Sequence, residues 1–305
     1  MGRTFLIANP KSTWREWLKA NRRGRDLIIL DPSDANLTVP GRLSLLRGDK
    51  LVESRFYGSL ESARAPHVMV AGVVELLKAA DEDVLIQLYA YRPTPLLRQL
   101  TLLLAHLIAP DVILLAKGTD LAANELPTGP EEVELEAGFP AMVQTAQRKA
   151  HWLKLLETCQ SHEVELKDVA IDGVRLGSGR RLTREETDRL KFSDAHWAEV
   201  SGSSLFVVAD SEPDQGQVAR ALDHLHCTRA HFAAPDAYDG LLCSFARANG
   251  VDFGMGMIQR IDFEAGVVYA LNTAETPAPV RILRLGSLQI NENGTELGES
   301  RPWQV

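Results

Sequence analysis

The sequence predicts a mainly parallel, three-layer α/β domain followed by a smaller, β-rich C-terminal domain. Strand-like apolar runs alternate with helical patterns in the first half, and short strand-like segments separated by turn signals fill the second. We place the boundary so that the domains are residues 1–163 and 164–305. The 305 residues are 45% hydrophobic and 24% charged, a composition that can bury a core in each domain.

In the first half, each element is predicted from the periodicity of its apolar residues. The run Leu27-Ile28-Ile29-Leu30 is apolar at successive positions, as expected for a parallel strand covered on both faces. An acidic stretch rich in Pro and Gly, from Leu121 to Gly138, predicts a loop or lid. The predicted strands are 4–8, 27–30, 84–89 and 112–116, and the predicted helices are 14–21, 68–80, 96–108 and 141–159.

In the second half, turn signals such as Glu264-Ala265-Gly266 and Glu292-Asn293-Gly294 separate the segments. One helix is predicted at 217–224. The strand-like segments are 164–171, 204–209, 240–245, 254–261, 267–271 and 280–290.

Charge bears on the choice of partners. The net charge of −8, from 33 basic and 41 acidic residues, does not attract phosphate backbones over the whole surface. Nucleic-acid contacts are therefore expected only where basic residues cluster, unless those clusters are ordinary solvated surface. The two clusters are Arg22, Arg23 and Arg25, and Arg180, Arg181 and Arg184.

Cysteine usage and hydropathy predict a cytoplasmic protein. Cys159, Cys227 and Cys243 are too few and too scattered for a disulfide framework, which fits a reducing compartment. The most apolar stretch, 96–116, is interrupted by charged residues and a proline, so we expect no membrane association. The N-terminal residues show no signal-peptide pattern.

The segment between the first strand and the first helix carries part of a phosphate-binding motif, Ala8-Asn9-Pro10-Lys11-Ser12-Thr13. In such motifs a lysine contacts phosphate and a hydroxyl contacts Mg²⁺, so Lys11, Ser12 and Thr13 are candidate cofactor-binding residues. The glycines that curl the backbone around phosphate are missing, and Pro10 lacks an N–H donor. Alternatively, Thr13 to Glu16 forms a capping box that starts the helix without any ligand.

Three further patterns have structural interpretations that we favour. Trp14 and Trp17 are expected to pack one helix face on the core, and Gly254-Met255-Gly256 predicts close backbone packing between strands. Histidines around Cys227 are the densest set of metal-capable side chains, but no second pair stands at zinc-finger spacing. We therefore predict no metal site of that kind.

Two stretches carry a family resemblance. The first, Leu30 to Leu45, contains an acidic strand end at Asp31 and a Thr-x-Pro-Gly element from Thr38 to Gly41, and Phe56 to Ser59 follows as Phe-x-Gly-Ser. This order resembles the polynucleotide 5'-hydroxyl kinases that include the pre-mRNA cleavage-complex and rRNA-processing kinases. The segments 254–262, 284–288 and 294–298 look like the closing β-domain of the same family. We expect the family's usual N-terminal β-domain to be absent.

The resemblance implies a P-loop-type domain, with ATP or GTP and Mg²⁺ as cofactors and RNA or DNA 5' ends, or a protein, as partners. It implies Lys11 and Asp31 as catalytic residues, with Thr38 and Arg148 contacting nucleic acid. This chain departs from the family pattern in two places. Ser33-Asp34 replaces the Gly-Gln that follows the acidic strand end, and the motif expected at the third strand is replaced by a segment that begins at Gln87.

Two functions remain open. One is an active ATP- or GTP-dependent polynucleotide 5'-hydroxyl kinase. The other is a degenerate scaffold that keeps the fold as a nucleotide- or RNA-processing-related binding module. The missing phosphate-loop glycines favour the degenerate form.

Overall fold

A computed structural model describes residues 2–192, 194–275 and 279–300. These residues form two compact units, Met1–Trp152 and Leu153–Val305. The division falls within a helix, ahead of the position between 163 and 164 that the sequence suggested. That 1–163 and 164–305 fold as separate domains stays a prediction. Among the described residues, no helix is both long and apolar enough to cross a membrane.

The first unit is built on a seven-stranded sheet, counted among the described residues, with the order β5-β4-β3-β6-β1-β7-β8. Its neighbours from β3 to β8 are parallel, and β4 and β5 add an antiparallel edge. The elements are β1 Thr4–Ile7, β2 Ser12–Thr13, α1 Arg15–Asn21, β3 Asp26–Leu30, β4 Arg42–Arg47, β5 Lys50–Phe56, α2 Pro66–Ala79, β6 Val84–Leu88, α3 Pro95–Ile108, β7 Val112–Ala116, β8 Glu131–Val133, β9 Glu136–Ala137 and α4 Ala141–Glu157.

Alternate residues of the parallel strands enter two different cores, which makes this unit three-layered. Ile28 and Leu30 pack with α2 and α3 on one face of the sheet. Leu27 and Ile29 pack with Trp14 and Leu18 on the other. Both faces of the strands are buried, which is why these strands read as continuous apolar runs. The predicted three-layer α/β fold is confirmed.

The β4–β5 hairpin is absent from the predicted elements, and it joins the two motifs that carry the family resemblance. The carbonyl of Gly41 accepts hydrogen bonds of 2.9 Å from the N–H groups of Tyr57 and Gly58. Gly41 and Gly58 have φ angles of +76° and +73°, which glycine adopts without steric penalty. These glycines therefore serve the hairpin connection.

The second unit contains the end of α4 and two β-sheets. One has the order β10-β18-β17-β16-β19-β11 with β20 paired to β19, and the other has the order β12-β13-β14-β15. The predicted β-rich character is confirmed. The elements are β10 Gln160–Glu165, β11 Ala170–Asp172, β12 Arg180–Arg181, α5 Arg184–Arg189, β13 Ala195–Ser201, β14 Ser204–Ala209, α6 Gln215–His224, β15 Arg229–Ala233, β16 Leu241–Ala246, β17 Asp252–Asp262, β18 Val267–Asn272, β19 Ile282–Ile290 and β20 Glu296–Glu299.

Close packing explains the Gly254-Met255-Gly256 segment of β17. A Cβ atom built on Gly256 would lie 1.8 Å from the carbonyl oxygen of Leu271 on β18. One built on Gly254 would lie 2.1 Å from Oδ1 of Asn272. The predicted close approach of backbones is confirmed, so these glycines need no nucleotide to account for them.

Candidate functional site

A cleft of about 350 Å³ lies in the first unit where the parallel strands β1, β3 and β6 end. Carboxyl ends of parallel strands are where α/β proteins bind ligands. Ser12 and Thr13 line one side, and Asp31, Asp34 and Gln87 line the part contributed by β3 and β6. The cleft therefore brings Ser12 and Thr13 together with the predicted catalytic carboxylate, whereas Lys11 is not among the residues that line it.

The phosphate-loop position is a short connection in which backbone donors are already paired. The N–H of Lys11 donates to Oδ1 of Asn9 at 2.9 Å, and the N–H of Ser12 donates to the carbonyl of Asn9 at 3.2 Å. The Ser12 hydroxyl donates to the same carbonyl at 3.3 Å. Lys11 is exposed. A phosphate cradle needs N–H groups aimed outward, and here two of them point back into the loop.

The start of α1 differs from the predicted capping box. The N-cap residue is Trp14, without a side-chain cap, and Thr13 Oγ1 accepts only a 3.4 Å contact from the Arg15 N–H. The N–H of Glu16 donates instead to Oε1 of Glu136 at 2.8 Å. The prediction that Thr13 caps α1 was wrong. Ser12 and Thr13 form a strand, and the helix begins two residues after Thr13. Glu136 supplies the capping carboxylate.

Glu136 belongs to a segment of residues 136–139 that is tied to the phosphate-loop position. Strand β9 pairs antiparallel with β2, and the N–H of Gly138 donates to the carbonyl of Lys11 at 2.9 Å. The guanidinium of Arg15 lies 4.6 Å from the ring centroid of Phe139, within cation–π range. The predicted loop or lid at 121–138 thus ends in a strand that pairs with the phosphate-loop position.

Two carboxylates occupy the opposite part of the cleft. Asp31 accepts hydrogen bonds from the Ser33 N–H at 2.9 Å and from the Ser33 hydroxyl at 2.7 Å. Burial is the main cause that raises the pKa of Asp31. Burial, together with the charge of Asp31, raises the pKa of Asp34 to about 6. Nε2 of Gln87 donates to Asp34 at 3.4 Å.

Asp34 and Gln87 were not among the predicted site residues. Both were noticed only as departures from the family pattern, although each stands at or just after the carboxyl end of a parallel strand. That position was the available signal, because such ends meet at one edge of the sheet. A buried carboxyl whose pKa is near 6 is the kind of group that can exchange a proton close to neutral pH.

Of the two residues predicted to contact nucleic acid, Arg148 affects the pKa of a carboxyl group that lines the cleft. The positive charge of Arg148 on α4 lowers the pKa of Asp31, opposing the effect of burial. Nη2 of Arg148 also donates to Thr145 at 3.2 Å. Thr38 is 4% exposed and is not among the residues lining the cleft. Nucleic-acid contacts by Thr38 and Arg148 stay predictions.

The basic clusters have different environments. Arg25 forms an ion pair of 2.7 Å with Asp83 and donates to the carbonyl of Gly2, so it fastens strand ends. Arg180 pairs with Glu186 at 3.0 Å, and Arg181 stacks 4.0 Å from the ring centroid of Trp197. Arg22 and Arg23 line a cavity of the first unit.

The tryptophans of α1 are part of the core, as predicted: Trp14 is 2% exposed and its ring centroid lies 5.4 Å from that of Trp17.

Within residues 2–192, 194–275 and 279–300, no group of three or more His, Cys, Asp or Glu side chains is arranged to hold a metal ion.

The three-layer architecture, with a cleft at the carboxyl ends of its parallel strands, is a P-loop-type α/β fold. Solved structures of Clp1p in complex with Pcf11p share this fold. One aligns with a TM-score of 0.52 and 12% identity over 94% of this chain and 74% of that chain. Another, which concerns ATP loss in a Gly135Arg mutant of that complex, aligns with a TM-score of 0.51 and 11% identity over 94% and 75%.

Sequence comparison points to the same group. No family model matches the chain. A polyribonucleotide 5'-hydroxyl-kinase of Thermococcus kodakarensis is 24% identical over 286 residues, covering 88% of this chain and 78% of that protein. Another from Pyrococcus furiosus is 26% identical over 155 residues, or 50% of this chain and 42% of that protein. These similarities support a relationship to the polynucleotide 5'-hydroxyl kinases.

Proposed function

We propose that this chain is a degenerate polynucleotide 5'-hydroxyl kinase, a binding module whose phosphate site is closed by its own residues. The observation that carries the proposal is the pairing of backbone donors at the phosphate-loop position. N–H groups of Lys11, Ser12 and Glu16 donate to Asn9 and Glu136 within the protein. These are donors that a bound phosphate needs.

The energetics favour the closed site. These N–H groups already have acceptors within the protein, so a nucleotide has to displace those acceptors before its phosphates can bind. Each hydrogen bond that it then gains to a charged phosphate oxygen is worth about 1.5–3 kcal/mol. Pro10 contributes no N–H, and its ring excludes the positive φ values that a glycine of a phosphate-binding loop can adopt. The carboxylate of Glu136 also adds a negative charge where the triphosphate would sit, and like charges repel. The residues at the phosphate-loop position therefore do not fit a nucleoside triphosphate with Mg²⁺.

An active kinase is the second candidate, and the acidic pair favours it. Asp34, with a pKa near 6, lies in the same cleft as Asp31 and can accept the proton of a hydroxyl group. The similarity to a named kinase over 88% of this chain points the same way. In that case Lys11 would contact the transferring phosphoryl group, and the 136–139 segment would have to leave the loop first.

A binding module needs a partner, and two classes are proposed. One is an RNA or DNA 5' end, as the names of the sequence relatives suggest. The other is a protein, because the structural neighbours were solved in complex with Pcf11p.

The proposal is tested by titrating ATP and GTP into the full chain with and without Mg²⁺, comparing the wild type with Lys11→Ala. We expect no binding that requires both Mg²⁺ and Lys11. Because Lys11 is exposed, its removal should leave the fold intact, and circular dichroism checks this. Mg²⁺-dependent binding that Lys11→Ala removes supports the active kinase instead.

A further inference from the structure

We propose that a second cavity of the first unit, next to the cleft at the strand ends, is a binding site for a nucleoside monophosphate. The cavity measures about 320 Å³ and lies beside α1, the residues that follow β3 and the β4–β5 turn. Ligand pockets typically measure roughly 300–1,000 Å³, so this one suits a single nucleotide better than a longer ligand. The proposal goes beyond the closed phosphate loop. Arg22 and Arg23 line this cavity and not the cleft, whereas four residues line both: Thr13, Asp34, Asn36 and Gln87.

Arg22 gives the cavity a fixed cation. Its side chain is only 13% exposed, and Nε and Nη2 donate to the carbonyls of Arg25 at 3.1 Å and Leu46 at 3.0 Å. Nη2 also contacts the carbonyl of Gly48. The nearest carboxylate oxygen to Nη1 belongs to Asp49, 3.9 Å away on a fully exposed side chain. The backbone therefore holds this guanidinium in place. Among the described residues, Nη1 has only a long ion pair with the exposed Asp49 carboxylate, which a phosphate can replace.

Arg23 supplies a second cation in an unusual backbone conformation. Its φ angle is +44°, a left-handed value that a helix end normally gives to glycine. Gly24 follows with φ +83°. The Arg23 side chain is exposed and has no hydrogen-bond or ion-pair partner within the described parts of the chain. The C-terminal end of α1 attracts positive charge, which explains a basic residue nearby. It does not explain an arginine at a left-handed position where glycine would be less strained.

The remainder of the cavity suits the nucleoside. Leu18 and Leu27 are buried in its lining, and Leu37, which is 40% exposed, offers an apolar side chain to a flat ring. Asn36 adds an amide group that can pair with the edge of a base. A phosphate at Arg22 and Arg23 with a base on Leu37 uses both halves of the lining.

The test is a calorimetric titration of AMP into the full chain at low salt, with inorganic phosphate and adenosine as partial ligands. We expect AMP to bind more tightly than either partial ligand. We expect Arg23→Gly to weaken AMP binding about tenfold, the loss that one charge-assisted hydrogen bond produces. The same substitution should leave the melting temperature unchanged or raise it, because glycine removes the left-handed strain.

Two variants serve as controls. Lys191→Gly makes a matched change, since Lys191 follows α5 with φ +62° and does not line this cavity. It should leave AMP binding unchanged, as should Lys11→Ala. Absence of AMP binding, or equal binding by wild type and Arg23→Gly, overturns the proposal. Equal binding of AMP and inorganic phosphate overturns the nucleoside assignment, and tighter binding of a 5'-phosphorylated dinucleotide overturns the mononucleotide. Loss of binding in Lys11→Ala alone contradicts both this site and the closed phosphate loop.

Discussion

Oε1 of Glu136 accepts a 2.8 Å hydrogen bond from the backbone N–H of Glu16, in the first turn of the helix that follows the phosphate-loop position. In a phosphate-binding loop, the N–H groups of this turn face the ligand. Here a carboxylate of the protein satisfies one of them. The contact therefore stabilises α1 and opposes an incoming phosphate at the same time.

Replacing Glu136 with alanine should destabilise the protein by about 1 kcal/mol, the usual effect of losing a helix cap. Urea denaturation followed by tryptophan fluorescence measures the change, because Trp14 and Trp17 lie at α1. The matched control is Glu134→Ala. Glu134 is 86% exposed and 4.0 Å from Lys117, so its loss should stay within about 0.5 kcal/mol. Equal effects of the two substitutions would argue against the capping role.

The two threonines that precede short helices should respond differently to alanine. Thr183 forms a complete capping box with Glu186, so Thr183→Ala should destabilise the protein by about 1 kcal/mol. Thr13 makes only the 3.4 Å contact with the Arg15 N–H, so Thr13→Ala should have an effect of about 0.5 kcal/mol or less. Urea denaturation of both variants decides this. A larger effect at Thr13 would restore the capping box predicted from the sequence.

Asp34 should make the protein less stable as the pH rises from 4 to 6. Its pKa is about 6 when folded, above the ordinary value of 3.8, so the folded protein binds its proton more tightly than the unfolded chain does. The resulting stability is fully present below pH 3.8 and is lost as the pH passes 6. A two-unit shift corresponds to at most about 3 kcal/mol, shared with the coupled Asp31.

The measurement is the free energy of unfolding of wild type and Asp34→Asn at pH 4.5 and pH 7. Asparagine keeps an oxygen for the 2.6 Å hydrogen bond from the Asn36 N–H but carries no charge. We expect Asp34→Asn to gain stability relative to wild type as the pH rises. A difference between the proteins that is the same at both pH values would contradict the raised pKa.

Periodicity was sufficient for the architecture of the first unit. Strands buried on both faces contain uninterrupted apolar runs, such as residues 27–30 of β3, and helices such as Pro95–Ile108 have clear apolar spacing. The β4–β5 hairpin was missed because β5 presents exposed and partly buried residues without regular alternation. Short helix α5 was missed because its six residues are all polar or charged, with no apolar period to detect.

The candidate site was only partly predictable. Lys11 and Ser12 were predicted from their types and from their place after the first strand, and Asp31 was predicted from the family resemblance. Their roles stay predictions. The contact between Glu136 and Glu16 spans 120 residues, and no local pattern links two positions so far apart. The Asn9 side chain, which occupies the Lys11 N–H, was overlooked because asparagine in a loop usually serves a turn.

We expect that the closed phosphate-loop position does not support phosphoryl transfer. The direct measurement is transfer of labelled γ-phosphate from ATP and GTP to 5'-hydroxyl RNA and DNA oligonucleotides with Mg²⁺, for wild type and Lys11→Ala. Neither protein should give transfer above background, since donors aimed at the transferring group provide most of this catalysis. Transfer by the wild type at about 1 s⁻¹ or faster, abolished by Lys11→Ala, would contradict this expectation.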